Sequence, residues 1–268
     1  MPAKTSQFRS WDDYFIPGTT VLRNKLVTAA DSYGTRDAEK LRRYEERATL
    51  LRAVELDRNP IEGNFDYAHL KAVHRALFQD VYDWAGQERV GPDRQMSKSG
   101  PDVVHFAPGD PAAPTVQYGY YPGVGDQIRE AAERQFRKLA ADDLLRGRDR
   151  VQFVAGLADH WGEINTIHSF REGNTRTQSV FFSQLAREAG YELDVGQFAE
   201  NAPLREEFVQ ARFYNQATAR TDRLVGVLDK TLTEIEPRSR SLSDRPPTAM
   251  ERLARRHSRT HSQDEFEM

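Results

Sequence analysis

The sequence predicts an all-helical fold, and two observations predict it. Apolar residues recur at steps of three and four through most of the chain. The one long stretch without that period, Gly86 to Pro114, is rich in Gly, Pro and Asp and reads as loop plus a short hairpin. In order, Asp37 to Leu56 carries Leu41, Tyr44, Ala48, Leu51 and Val54 on one expected inner face, with Arg and Glu on the other. Pro60 closes that helix and Gly63-Asn64 make a loop. Phe65 to Tyr82 turns Leu70, Val73, Leu77, Phe78 and Val81 inward. Val124 to Leu145 repeats the pattern with Ile128, Ala132, Phe136 and Leu139, and Val151 to Ile164 with Val151, Val154, Leu157, Trp161 and Ile164. Thr175 to Glu188 is a helix stopped by Gly190, and Leu204 to Thr218 and Asp222 to Thr233 complete the series. The expected organisation is an N-terminal helical segment at 1–60 packed on a core at 61–236, then a disordered polar tail at 237–268, where large apolar residues are scarce.

Composition excludes several function classes. The 268 residues are 38% hydrophobic and 29% charged, which suits a globular chain with a core. Net charge is −3, so nothing electrostatic argues for a nucleic-acid partner. With no cysteine, disulfides, thiolate catalysis and Cys-ligated zinc are excluded, and a reducing cytoplasm is the expected setting. No run of about eighteen apolar residues exists, so no membrane span is expected. Met1 to Ser10 is polar and lacks an apolar signal core, although a signal read by a specialised secretion system would not show itself this way.

The chemistry is concentrated in His168-Ser-Phe-Arg-Glu-Gly-Asn-Thr-Arg176. His168 can take a proton near neutral pH; alone, such a histidine would more often cap the preceding helix. Glu172 can hold a hard cation such as Mg²⁺, which needs only one or two carboxylates when phosphates supply other ligands. Gly173 and Asn174 allow a tight turn whose backbone N–H groups, with that of Thr175, face an anion. Arg176 can fork onto phosphate oxygens. A loop that opens onto a helix N-terminus is an anion site, so the direct reading is chemistry on a nucleoside polyphosphate.

This stretch resembles the signature of the Fic family, His-x-Phe-x-(Asp/Glu)-Gly-Asn-(Gly/Lys/Thr)-Arg. Two further blocks are similar to the family: Phe65 to Gly86, like the first core helix and its exit, and Tyr14 to Leu26, like the segment before the core in bacterial Fic toxins and secreted effectors. Together the resemblance covers roughly residues 11 to 230. It implies a helical bundle with a β-hairpin flap over the active site, and transfer of AMP from ATP, with Mg²⁺, to a hydroxyl of a target protein. On that pattern His168 is the base and Glu172 the metal ligand. Gly173, Asn174, Thr175 and Arg176 hold the phosphates. Phe170 anchors the loop. The flap, which would hold the target segment by strand pairing, maps onto Lys98, Ser99, Gly100, Val103, Val104, His105 and Phe106.

Three positions depart from the commonest pattern. Ser169 replaces a Pro that only shapes the loop. Thr175 replaces a Gly and narrows the approach to the phosphates. Ser179 replaces a second Arg that holds the γ-phosphate, which leaves phosphoryl or UMP transfer, or a catalytically weak binding module, as alternatives. The family's inhibitory helix motif is not expected here: Ile61-Glu62-Gly63 lies just after Pro60, and Thr231 to Glu236 is followed by Pro237. Partners implied by the resemblance are a target presenting Tyr, Thr or Ser, such as a type II topoisomerase subunit or a host small GTPase, and a small antitoxin. No nucleic acid and no membrane are implied. The setting would be the bacterial cytoplasm, or a host cell reached by a specialised secretion system.

Overall fold

The computed structural model describes residues 8–235, so the tail expected at 237–268 lies outside the described residues. The first long element is α1 (Ala38–Arg58), started by the Asp37 side chain accepting from the Glu39 and Lys40 N–H groups. Next is α2 (Tyr67–Phe78), capped by Asp66 through the His69 N–H at 2.8 Å. A hairpin follows, β1 (Ser97–Pro101) antiparallel to β2 (Thr115–Gly119), with Lys98 opposite Tyr118 and Gly100 opposite Val116. Then come α3 (Gln127–Ala141), α4 (Arg150–Ile167, capped by Asp149) and α5 (Asn174–Glu188). Strand β3 (Tyr191–Leu193), helices α6 (Arg205–Thr218) and α7 (Asp222–Asp229), and strand β4 (Leu232–Glu234) end the fold. The architecture is helical with small antiparallel sheets.

Helix α4 is central, packing against α3, α5, α6 and α7. Its Trp161 is fully buried, stacked on Phe182 of α5 with centroids 4.6 Å apart and edge-on to Phe208 of α6. An aromatic side chain of this size buries roughly 150–250 Å², so this contact holds α4, α5 and α6 in one relation. Gly190, at φ +92, stops α5 as expected.

Two expectations are corrected. The apolar face assigned to α1 is only partly inside: Leu41 is buried and Ala48 and Val54 are partly buried against the core, but Leu51 is 68% exposed and Tyr44 37%, while Thr49, Ala53 and Leu56, outside that assignment, are buried. The inner stripe also runs through Glu45 and Thr49, polar residues that meet a partner described below, so hydrophobicity alone wrongly turned Tyr44 and Leu51 inward. Val151, also expected inside, stands exposed in the first turn of α4. Second, the helix expected over Asp222 to Thr233 stops at Asp229. The Thr231 hydroxyl donates to the Leu228 carbonyl at 2.8 Å, and Leu232 then turns inward opposite Leu193 as a strand. The Thr231 to Glu236 stretch therefore contains strand rather than helix in its described part.

Candidate active site

His168 follows the last residue of α4 in a left-handed conformation, φ 51, and its N–H still closes the helix on the Ile164 carbonyl at 3.2 Å. Histidine enters this region more readily than most residues. The imidazole stacks on Tyr120, centroids 3.9 Å apart. Arg89 clamps the backbone on either side of the turn. Its Nε donates to the His168 carbonyl at 2.6 Å, its N–H to the Ser169 carbonyl at 2.9 Å, and its Nη2 to the Tyr121 carbonyl at 2.7 Å. Burial, then the charges of Arg89 and Arg212, push the His168 pKa well below that of a free imidazole, so the ring is neutral at pH 7 and has a lone pair free to accept a proton.

The loop after it is locked from within. Asn174 accepts from the Phe170 N–H at 3.0 Å and donates to the Phe170 carbonyl at 2.7 Å, so its buried side chain staples the loop and only its backbone faces outward chemistry. Phe170 stacks on His74 at 3.9 Å, and His74 also lies against Phe78 and Trp84. His74 Nδ1 accepts from the Gly86 N–H at 2.8 Å, so Nε2 carries the proton and donates to the Glu172 carbonyl at 3.1 Å. Gly173 has φ +78, and a Cβ there would come within 2.1 Å of the Phe78 ring. Its N–H is taken by the Glu172 carboxylate at 2.9 Å. Beyond it, the N–H groups of Asn174, Thr175 and Arg176 begin α5 and have no intrahelical acceptor. A helix end of this kind suits an anion.

Two guanidiniums flank that end. Arg176 reaches toward α1, where it meets Glu45 in a short ion pair, donates to the Thr49 hydroxyl at 3.2 Å, and lies 3.7 Å from Glu172. Tyr82 donates to the other Glu45 oxygen. Arg212 of α6 comes from the other side and donates to the Thr175 hydroxyl at 2.9 Å. Glu172 keeps its side chain 45% exposed. Ser179 sits within the buried run of α5.

The family model for the Fic/DOC family matches residues 64–186, a span from the start of α2 to near the end of α5 that contains the whole loop just described. The probable protein adenylyltransferase y4lH of Sinorhizobium fredii is 38% identical over 184 residues, 68% of this chain and 79% of the relative. The chain belongs to the Fic/DOC family. Protein adenylyltransferase VbhT of Bartonella schoenbuchensis is 36% identical over 68% of this Fic/DOC chain, which spans only 32% of that relative's length. The probable protein adenylyltransferase Fic of Escherichia coli is 31% identical, matching 68% of the chain and 76% of the relative. Among solved structures, the Bartonella tribocorum effector BepC with bound AMPPNP superposes with a TM-score of 0.65 at 21% identity, over 84% of this chain and 98% of that one. The Fic fold is thereby shown.

Around the Fic motif the structure places His168, Glu172, Gly173, Asn174, Thr175 and Arg176 on one loop and the helix end that follows it, with the side chain of Asn174 turned to the loop. The hairpin divides the other expected residues. Lys98, Ser99 and Gly100 lie in β1, and Gly100 passes so close to α6 that a Cβ would stand 2.5 Å from Phe213. Val103, Val104, His105 and Phe106 lie outside both strands. Asp102 accepts from the Val104 and His105 N–H groups and pairs with the His105 ring, while Val103 is buried against Tyr118, Phe213 and Tyr214. The second strand of the hairpin is Thr115 to Gly119, beyond the stretch in which it was expected.

Several contributors were not singled out by sequence reasoning: Glu45, Thr49, His74, Arg89, Tyr120 and Arg212. Arg171 is another, its guanidinium 4.1 Å from the Trp11 ring and 5.0 Å from Phe15, which ties the N-terminal segment to the motif loop. Glu45, Thr49, His74 and Arg212 are polar side chains on helices, a signal that names no partner, while Arg89, Tyr120 and Arg171 lie outside the helices and carry no periodic signal.

Proposed function

We propose that this protein is a protein adenylyltransferase that moves AMP from ATP to a hydroxyl side chain of a target protein. The observation that carries the reading is a neutral, half-buried imidazole beside a helix end that offers unpaired N–H groups and a guanidinium. In this scheme the target hydroxyl oxygen bonds to the α-phosphorus and His168 accepts its proton. The bond from the α-phosphorus to the bridging oxygen breaks, and pyrophosphate leaves. A positioned base contributes about 10² to 10⁴ in rate. Arg176 and the first N–H groups of α5 stabilise charge on the departing phosphates. The half-exposed Glu172 carboxylate, already turned toward the helix end by the Gly173 N–H, suits a Mg²⁺ that takes its other ligands from phosphates and water. Mg²⁺ would polarise the phosphate oxygens it binds. The partner is a protein presenting Tyr, Thr or Ser, met along β1 at Lys98, Ser99 and Gly100. Among the described residues no helix is long and apolar enough to cross a membrane.

Ser179 favours a second reading, transfer of a phosphoryl group or UMP, because it cannot supply the charge that a γ-phosphate would meet at this position. One experiment separates them: incubation with ATP labelled at the α- or γ-phosphate, or with labelled UTP, for the wild type and His168→Ala. AMP transfer predicts label only from α-labelled ATP, lost by about 10² to 10⁴ in the variant, with the variant's thermal midpoint retained. Label from the γ position or from UTP would replace the proposal with the second reading, and undiminished transfer by His168→Ala would refute both.

A further inference from the structure

Arg212 is a buried cation that lacks an anion. It is 8% exposed, yet no carboxylate is among the groups that act on its charge, and desolvation pushes its pKa down to about 10. Its contacts are neutral. Nη1 donates to the Thr175 hydroxyl at 2.9 Å and to the Asn165 side-chain oxygen at 3.3 Å, Phe208 lies under the guanidinium at 4.7 Å, and Nε has no partner. Buried charges are normally paired, because an unpaired one is strongly unfavourable. Arg176, the other guanidinium at this helix end, follows that rule through Glu45. Around Arg212 the field is positive: its charge acts on both His168 and Lys98 of β1. A forked, dry, unneutralised guanidinium beside the first turn of a fifteen-residue helix is a place for phosphate oxygens.

We propose that Arg212, with Lys98 beside it, is a phosphate-binding position of the donor site, contacting the polyphosphate next to His168 and supplying positive charge that Ser179 does not. This assignment rests on the reading of the site as one for a nucleoside polyphosphate. The cation stays unpaired in the free protein, so its attraction is realised when the ligand's oxygens enter. Arg89 is equally short of an anion and its Nη1 also has no partner, but its Nε and Nη2 hold the carbonyls of His168 and Tyr121, which makes it a positioning residue.

The test is calorimetric titration of ATP, inorganic pyrophosphate and adenosine into the wild type, Arg212→Gln, Arg212→Lys and Asn165→Asp. Asn165→Asp leaves Arg212 in place and sets a carboxylate beside it, so the charge is neutralised within the fold. Arg212→Gln and Asn165→Asp should each weaken ATP and pyrophosphate by about tenfold or more and change adenosine by less than about threefold, with Arg212→Lys between them and the wild type. If Arg212 only braces the start of α5, Asn165→Asp keeps pyrophosphate affinity at the wild-type value, and that result overturns the assignment even where Arg212→Gln fails to fold. A wild type that binds pyrophosphate through Arg212 but transfers no AMP would sink the proposed function and keep this site. A wild type that binds neither ATP nor pyrophosphate sinks both.

Discussion

Lowering the pH should destabilise this protein through His74 in a way that one substitution can isolate. His74 is fully buried, wedged between Phe170, Phe78 and Trp84, with both ring nitrogens engaged. Desolvation pushes its pKa down to about 3, the Glu172 carbonyl opposes the shift, and the Arg176 charge adds to it. In the unfolded chain the same ring titrates near 6.5. Between those values the unfolded state binds a proton that the folded state refuses. The stabilisation is therefore whole above about pH 6.5 and falls by about 1.4 kcal/mol for each pH unit below it. At pH 5 about 2 kcal/mol is gone, a large fraction of a typical stability of about 5–15 kcal/mol. His168, shifted the same way by burial and two arginines, adds to the acid sensitivity. Carboxylates titrate in this range as well, so the measurement is a difference: urea unfolding of the wild type and His74→Gln at pH 7.5, 6.5, 5.75 and 5. The variant should be less stable at pH 7.5, because stacking and the link to Glu172 are lost, yet its stability should fall less steeply with acid by about 1.4 kcal/mol per pH unit. Parallel curves for the two proteins would show that His74 is not held neutral by burial.

Gly173→Ala should lower stability by about 2–5 kcal/mol, from a left-handed Cβ (~1–2 kcal/mol) plus overlap with Phe78 (~1–3 kcal/mol); an unchanged urea midpoint would mean that the loop does not pass over that ring. Glu172→Ala should remove most of the Mg²⁺ dependence of nucleotide binding, since no other acid stands in the motif loop; equal dependence in both proteins would take Glu172 out of the metal role. Ser179→Arg should tighten ATP by about tenfold or more through a charge-assisted contact with the γ-phosphate, provided that an Arg leaving this buried position reaches the start of α5; ATP, ADP and UTP affinities that all match the wild type would show that residue 179 does not face the phosphates.

The motif loop was legible in the sequence because its parts are contiguous. A base, an acid, a Gly-Asn turn and an Arg within nine residues constrain one another through local backbone geometry, and the left-handed His168 and Gly173 complete that geometry. The capped helices were legible for the same reason: Asp37, Asp66 and Asp149 act on N–H groups two or three residues away. Illegibility began where a residue's meaning depends on a distant partner. Hydrophobic periodicity placed Tyr44 and Leu51 inside, because nothing in the sequence of α1 says that Glu45 and Thr49 will meet Arg176. It also read strand β4 as helix, since Leu193, the residue that Leu232 faces, lies on the far side of α6 and α7 in sequence.

By itself, then, the sequence determined the motif, the helical class and the chemistry these imply, all of which follow from interactions spanning a few residues. Only the tertiary structure decided which nitrogen of His74 carries the proton, that Arg89 grips the carbonyl of His168, that the side chain of Asn174 belongs to the loop, and that Arg212 stands buried without an anion at the start of α5. Those are facts of desolvation and charge pairing. They depend on what surrounds a group in space, and that surrounding comes into being when distant helices pack.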